Sequence, residues 1–211
     1  MIRIVVADDH TIVREGLKQL LRAADGLEIA GEAQDGHQVM QVVRELDFDV
    51  LLLDMSMPGK SGIELIKQVR AEKPKLRIMV LSMHEERQYA IRAIRAGASG
   101  YLTKESAMSQ LVAAIHKVAG GGAFISAGVA EQLALGAMPN ASGLPHEALS
   151  DREFQIFRMI AEGKSVSDIA ERLNLSVKTV STHKSNILKK MDMTGGAELI
   201  RYAITHRLVE E

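Results

Sequence analysis

Asp54 closes the apolar run "LLLD" at residues 51–54 and is followed at once by the turn-forming stretch "MSMPGKSG". Asp8 and Asp9 close "RIVVADD", Ser82 closes "RIMVLS", and Lys104 follows "GYLT". If these runs are neighbouring parallel strands, their carboxyl ends form the edge where open α/β sheets bind ligands. Three carboxylates, one hydroxyl and one ammonium then share that edge. Crowded carboxylates repel, and burial without partners would raise their pKa values, so the arrangement calls for a cation. Mg2+ fits, because it takes one or two carboxylates, keeps waters and accepts phosphate oxygens. A carboxylate between a divalent metal and Lys104 is arranged to attack phosphorus and to hold the resulting acyl phosphate.

Each residue alone has a plainer reading. Asp8 or Asp9 could cap a helix beginning near Thr11. Ser82 could be a turn residue, Lys104 a solvated surface charge, and "MPG" a simple turn. Tyr101 alternates with Gly100 and Leu102 and could be an ordinary half-buried strand aromatic. His10 adjoins the acid pair, but no second histidine stands at ligand spacing, so it reads as a rim residue. The convergence of the set on strand ends is what favours chemistry.

The elements that must position these residues follow from periodicity. Five β-branched runs, Ile2 to Ala7, Leu27 to Ala33, Val50 to Asp54, Arg77 to Ser82 and Ser99 to Thr103, alternate with stretches whose apolar residues recur three and four apart. That alternation predicts a doubly wound α/β domain with a five-stranded parallel sheet. Ser61 with Glu64 predicts a capping box opening the third helix, and a fifth helix is expected over about residues 106–118. Glycine, proline and small residues then concentrate over 120–148, the composition of a linker.

From Leu149 the pattern is continuously helical, with capping signals at Ser150/Glu153 and Ser165/Asp168 and N-cap candidates at Ser176 and Thr194. The expectation is a smaller all-α domain of four helices over 149–211, after a first domain over 1–119. Residues 176–191 carry Lys178, Lys184, Lys189, Lys190 and His183, with no acid. A lysine-bearing helix after a tight turn is the arrangement that enters a DNA major groove, although a solvated basic face would look similar. Val177, Val180, Ile187, Leu188 and Met191 mark the expected buried side, leaving Lys178, Ser181, Thr182, Lys184, Ser185 and Lys189 outward.

Composition excludes some classes. The 211 residues contain no cysteine, which removes disulfides and thiolate metal sites. No segment approaches the ~20 apolar residues of a membrane span, and "MIRIVVADDH" lacks the form of a signal peptide. The expectation is a soluble, cytoplasmic protein with no membrane partner. A net charge of −1 says little about partners, since local charge can be of either sign.

The combination of "ADD" at 7–9, "LLLDMSMPGKSG" at 51–62, "LS" at 81–82 and "GYLTK" at 100–104 resembles the receiver domains of two-component response regulators. The resemblance implies a flavodoxin-like strand order 2-1-3-4-5. It implies that Asp54 accepts a phosphoryl group from a sensor histidine kinase, with Asp9 binding Mg2+ directly and Asp8 largely through water. It further implies that the Ser56 backbone carbonyl completes the metal site, that Lys104 contacts the phosphoryl group, and that Ser82 and Tyr101 form the switch. Glu105 departs from the proline that many receivers carry after the lysine.

Residues 149–207 resemble the LuxR-type helix-turn-helix, and the whole is similar to the NarL/FixJ subclass. By that likeness Ser181, Thr182 and Ser185 face bases, while Lys178, Thr179, His183, Lys184 and Lys189 touch phosphates of double-stranded promoter DNA. Val166, Ser167, Gly195 and Gly196 depart from the usual pattern. The implied function is a phosphorylation-dependent transcription regulator, not an enzyme, that dimerises when phosphorylated. The rival is a magnesium-dependent phosphohydrolase using an aspartyl nucleophile; it would need a general acid two residues on, where this chain has Ser56. A stand-alone receiver is disfavoured by the C-terminal helices.

Overall fold

The computed structural model describes residues 1–57, 62–82, 87–135, 144–206 and 208–209. The expected Ser61/Glu64 capping box and the loop following residue 82 lie outside the described residues. The chain divides into two compact units, Met1–Leu133 and Ala134–Glu211.

In the first unit, β1 (Ile2–Ala7), β2 (Leu27–Ala33), β3 (Val50–Asp54), β4 (Arg77–Ser82) and β5 (Gly100–Thr103) form one parallel sheet in the order β2-β1-β3-β4-β5. Helices α1 (Thr11–Arg22), α2 (Gly36–Glu45), α3 (Gly62–Glu72), α4 (Arg87–Ala96) and α5 (Lys104–Ala119) supply the crossovers. Every residue of β3 is buried, as a central strand covered on both faces requires. Alternation along the strands sends Val5, Leu51, Leu53, Ile78 and Val80 to the core shared with α2, α3 and α4. Ile4, Val6, Leu52, Met79 and Leu81 go to the core under α1 and α5. The register pairs Ala7 with Leu53, Asp54 with Leu81 and Ser82 with Thr103, so the polar ends of β1, β3, β4 and β5 lie along one edge.

Two boundaries differ from the sequence expectation. Helix α5 begins at Lys104 because Thr103, as N-cap, accepts a hydrogen bond from the Ser106 backbone N–H. The stretch after α5 is structured rather than a free linker. Phe124 O accepts from Tyr101 N at 2.9 Å and Phe124 N donates to Ser99 O at 3.1 Å, a parallel bridge along the β5 edge. Helix α6 (Ala127–Leu135) then buries Val129 in the same core as Tyr101. Small residues read as flexible by composition, yet alanine and leucine are strong helix formers once an apolar face is available to them.

The second unit contains a 3-10 turn (Pro145–Ala148) and helices α7 (Asp151–Ala161), α8 (Val166–Arg172), α9 (Val177–Met191) and α10 (Gly196–Thr205). Capping boxes at Ser150/Glu153 and Ser165/Asp168 open α7 and α8, and Ser176 caps α9 through the Thr179 N–H. Gly195, not Thr194, is the N-cap of α10; Thr194 instead binds the Glu198 carboxylate through its N–H and hydroxyl. Helix α7 lies at the centre, contacting the other three. Its Phe154 and Phe157 are fully buried, and the Phe157 ring lies 6.1 Å from Phe154 and 6.4 Å from Tyr202. Phe157→Ala is expected to lower the stability of this unit by about 3–5 kcal/mol, the usual cost of an unfilled aromatic site, measured by urea unfolding followed through helical circular dichroism.

Candidate phosphoacceptor site and nucleic-acid interface

Asp54 is 1% exposed, and both its carboxylate oxygens are engaged. Oδ1 accepts the Ser56 backbone N–H at 3.0 Å, and Oδ2 accepts from Lys104 Nζ at 2.9 Å. The same ammonium donates to Asp8 Oδ2 at 2.7 Å. Strand ends separated by 50 and 96 residues in sequence are thus joined through one lysine. Asp8, also 1% exposed, gives its Oδ1 to the His10 backbone N–H at 2.8 Å. The capping reading of the acid pair is corrected in part: the N-cap of α1 is His10, whose side chain makes no capping bond.

The electrostatics follow from burial. Desolvation pushes the Asp54 carboxyl above its ordinary value, with the Lys104 ammonium and the Ser56 N–H pulling back and the Asp8 charge adding to the rise. Burial alone would push Lys104 down, but hydrogen bonds and charge from Asp8 and Asp54 hold it above the usual lysine value. Among the described residues, one ammonium faces three carboxylates here. Asp9 Oδ1 is buried and accepts no hydrogen bond, although His10 Nδ1 lies 3.0 Å away without the alignment to donate. Among the described residues, Asp8, Asp9, His10 and Asp54 bring ligand atoms within 4.8 Å of one another. An orphaned carboxylate oxygen in an oxygen-rich cluster fits a hard divalent cation.

Ser82 is buried at the end of β4, and Tyr101 points inward with 9% exposure, within the core beneath α4. Sequence reading missed Arg14. Its guanidinium, in a residue only 4% exposed, donates to the Asp8 carbonyl at 2.8 Å and to Glu32 at 3.0 Å, fixing the backbone under the acid pair. The signal was present, since Arg14 and Lys18 stand on the same helical face as Leu17 and Leu21, where a solvated charge does not belong. An apolar cavity of about 310 Å³ also borders the site, lined by Ile12, Val13, Gly16, Leu17, Leu81, Ala107 and Lys104.

In the second unit, α8 and α9 are joined through Asn174, whose φ of 52° is left-handed and turns the chain sharply. Helix α9 buries Val180, Ile187 and Met191. Leu188 is only half-buried, and Val177, expected on the buried side, is 52% exposed as the first residue of α9, although Val180 in the same turn is fully buried. Lys178, Ser181, Thr182, Ser185 and Lys189 are exposed; Thr179, His183 and Lys184 are half-buried. Thr179 is engaged with the Ser176 cap. The Thr182 and Ser185 hydroxyls donate one turn back, to Lys178 O and Ser181 O, so their lone pairs remain to accept from outside. Lys190, counted in the basic run, is committed to Glu153 at 2.6 Å.

Residues 4–116 match the family described as response regulator receiver domain, and residues 147–203 match the bacterial regulatory proteins, luxR family. The chain is 37% identical to the response regulator GacA of Pseudomonas aeruginosa, over 100% of this chain and 99% of that protein. It is 37% identical to the response regulator UvrY of Escherichia coli, over 99% of this chain and 96% of that protein. Among solved structures it resembles RcsB of Salmonella enterica serovar Typhimurium bound to promoter rprA with the phosphomimetic BeF3-. That match has a TM-score of 0.65 and 29% identity, over 96% of this chain and 98% of RcsB. With the acidic edge closed by Lys104 and a helix-turn-helix at the other end of the chain, both matched families are present in one polypeptide. The chain belongs to the two-component response regulators of the NarL/FixJ type, a receiver followed by a LuxR-type helix-turn-helix.

Proposed function

We propose that this chain regulates transcription through phosphorylation of Asp54, received from a sensor histidine kinase. The observation that carries the reading is Lys104, held between Asp54 and Asp8 at 2.9 and 2.7 Å beside a carboxylate oxygen that has no partner. Asp54 is the nucleophile. Asp9, Asp8, Asp54 and the Ser56 carbonyl would hold Mg2+, which supplies charge neutralisation for the incoming phosphoryl oxygens. Lys104, seated between Asp54 and Asp8, donates to those oxygens, and burial of Asp54 and Asp8 limits the access of bulk water to the acyl phosphate. The apolar cavity beside Lys104, with Ile12 88% exposed at its rim, offers the donor protein a surface next to the acceptor.

Ser82 and Tyr101 form the switch by likeness to other receivers. Phosphorylation biases an existing two-state element rather than creating one. The receiver proper is residues 1–119, extended by 120–133, which pack on it, and the DNA-binding domain is 149–211. The output is dimerisation on double-stranded promoter DNA, with half-sites about one helical turn apart. Ser181, Thr182 and Ser185 face base edges. Lys178, Thr179, His183, Lys184 and Lys189 contact phosphates and set register. The family is one of transcription regulators, not enzymes.

Incubation with Mg2+ and acetyl phosphate is expected to add one phosphoryl group to the wild type and none to Asp54→Ala, read by intact mass. An adduct that persists in Asp54→Ala would move the acceptor elsewhere.

Because the folded-state pKa of Asp54 is raised, this group favours the fold fully below its unfolded value and loses that contribution as pH rises through the folded value. Asp54→Asn is therefore expected to melt higher than the wild type at neutral pH, by about 2–4 °C per kcal/mol of relieved desolvation. The difference should shrink toward acid pH, and Mg2+ should narrow it by stabilising only the ionised wild type; calorimetry across pH with and without Mg2+ reads both.

For DNA, Lys184→Ala is expected to weaken binding uniformly across sequences and to reduce the salt slope by about one. Ser181→Ala should instead alter sequence preference at unchanged salt slope, measured by fluorescence anisotropy on a promoter library.

A further inference from the structure

The cluster of possible ligands includes one residue that the proposed chemistry does not use. His10 Nδ1 lies 3.0 Å from Asp9 Oδ1 and 3.4 Å from Asp8 Oδ1. With metal–ligand bonds of about 2.1 Å, neighbouring donors of an octahedron stand about 3.0 Å apart and opposite donors about 4.2 Å apart. The separation from Asp9 is that of donors on adjacent corners, and the separation from Asp8 lies between the adjacent and opposite values. The imidazole is also held in place by its own backbone. The His10 N–H donates to Asp8 Oδ1 at 2.8 Å, and His10 O accepts from Arg14 N at 3.0 Å as the first bond of α1. Lys104 occupies the other side of Asp8, at Oδ2. The cation side of the acid pair is therefore bordered by an imidazole nitrogen.

We infer that His10 is a nitrogen ligand of the divalent-cation site, which selects a first-row transition ion such as Mn2+ over Mg2+. The inference rests on the cation site of the proposed function. An imidazole is a borderline-soft donor with little to offer Mg2+, but it raises affinity for ions further along the first row. Adding it to two or three carboxylates converts an all-oxygen set into a mixed one. The ring is 62% exposed, which lets it move the short distance to a bound ion and leaves room for waters on the same ion. Its side chain caps no helix, so replacement removes the imidazole and its contacts with Asp8 and Asp9 while leaving the start of α1 intact.

The test is a titration of the full-length protein with Mn2+, followed by electron paramagnetic resonance, with Mg2+ as competitor. Wild type and His10→Ala are run in parallel, with His10→Gln as the polar control. The expected result is nitrogen modulation of a directly bound imidazole in the electron spin echo of wild type, absent from both variants. The Mn2+ dissociation constant should rise about tenfold in His10→Ala while that for Mg2+ changes less than about twofold. Mn2+ binding of equal affinity in all three proteins, without nitrogen modulation, would overturn the assignment of His10 and leave the carboxylate site standing. Absence of Mn2+ and Mg2+ binding in the wild type would overturn both.

Discussion

The receiver edge depends on an uneven balance of charge. Asp8 and Asp54 are almost fully buried, and a single ammonium, Lys104, is shared between them while Asp9 keeps an oxygen without a partner. Buried carboxylates are costly unless paired, so this edge is less stable than an apolar edge of the same shape. That cost is localised at Asp54, where burial raises the carboxyl and the excess negative charge leaves the cluster drawn toward a cation. The rest of the unit holds that arrangement rigid. The register of five parallel strands fixes where the ends fall, Thr103 starts α5 so that Lys104 is its first residue, and Arg14 pins the Asp8 carbonyl from beneath.

The helical unit solves a different problem with local means. Helices α7, α8 and α9 open on serine caps, and two of these are reciprocal boxes with Glu153 and Asp168. Glu153 also receives Lys190 from α9, tying the start of the central helix to the end of α9. Burial opposes its ionisation, yet Lys190 and Ser150 hold its carboxyl below the usual range. The exposed side of α9 is left with short hydroxylated residues and lysines: Lys178, Ser181, Thr182, Ser185 and Lys189.

Much of this was legible beforehand because it is local. A strand buried on both faces, such as β3, reads as an apolar run, and β1 to β4 all emerged with their observed bounds. Caps depend on residues three apart, so Ser150, Ser165 and Ser176 were readable as well. What was misread concerns partners distant in sequence. Residues 120–133 look like linker until Phe124 meets the β5 edge and Val129 meets the core around Tyr101. Lys190 counts toward a basic run until Glu153, 37 positions away, claims it. Val177 fits the apolar face by period, but helix period does not say where the packing partners end.

The sequence by itself determined the elements, the two-part organisation and the chemical types present, since these follow from periodicity, capping and turn preferences acting over a few residues. Only the tertiary structure decided which polar groups meet. Lys104 reaches Asp8 and Asp54 across 96 and 50 positions, Arg14 takes the Asp8 carbonyl rather than solvent, and one oxygen of Asp9 is left without a partner. Strand order and register set those distances. They are properties of the packed sheet, where each neighbour constrains the next, and no short window of sequence contains them.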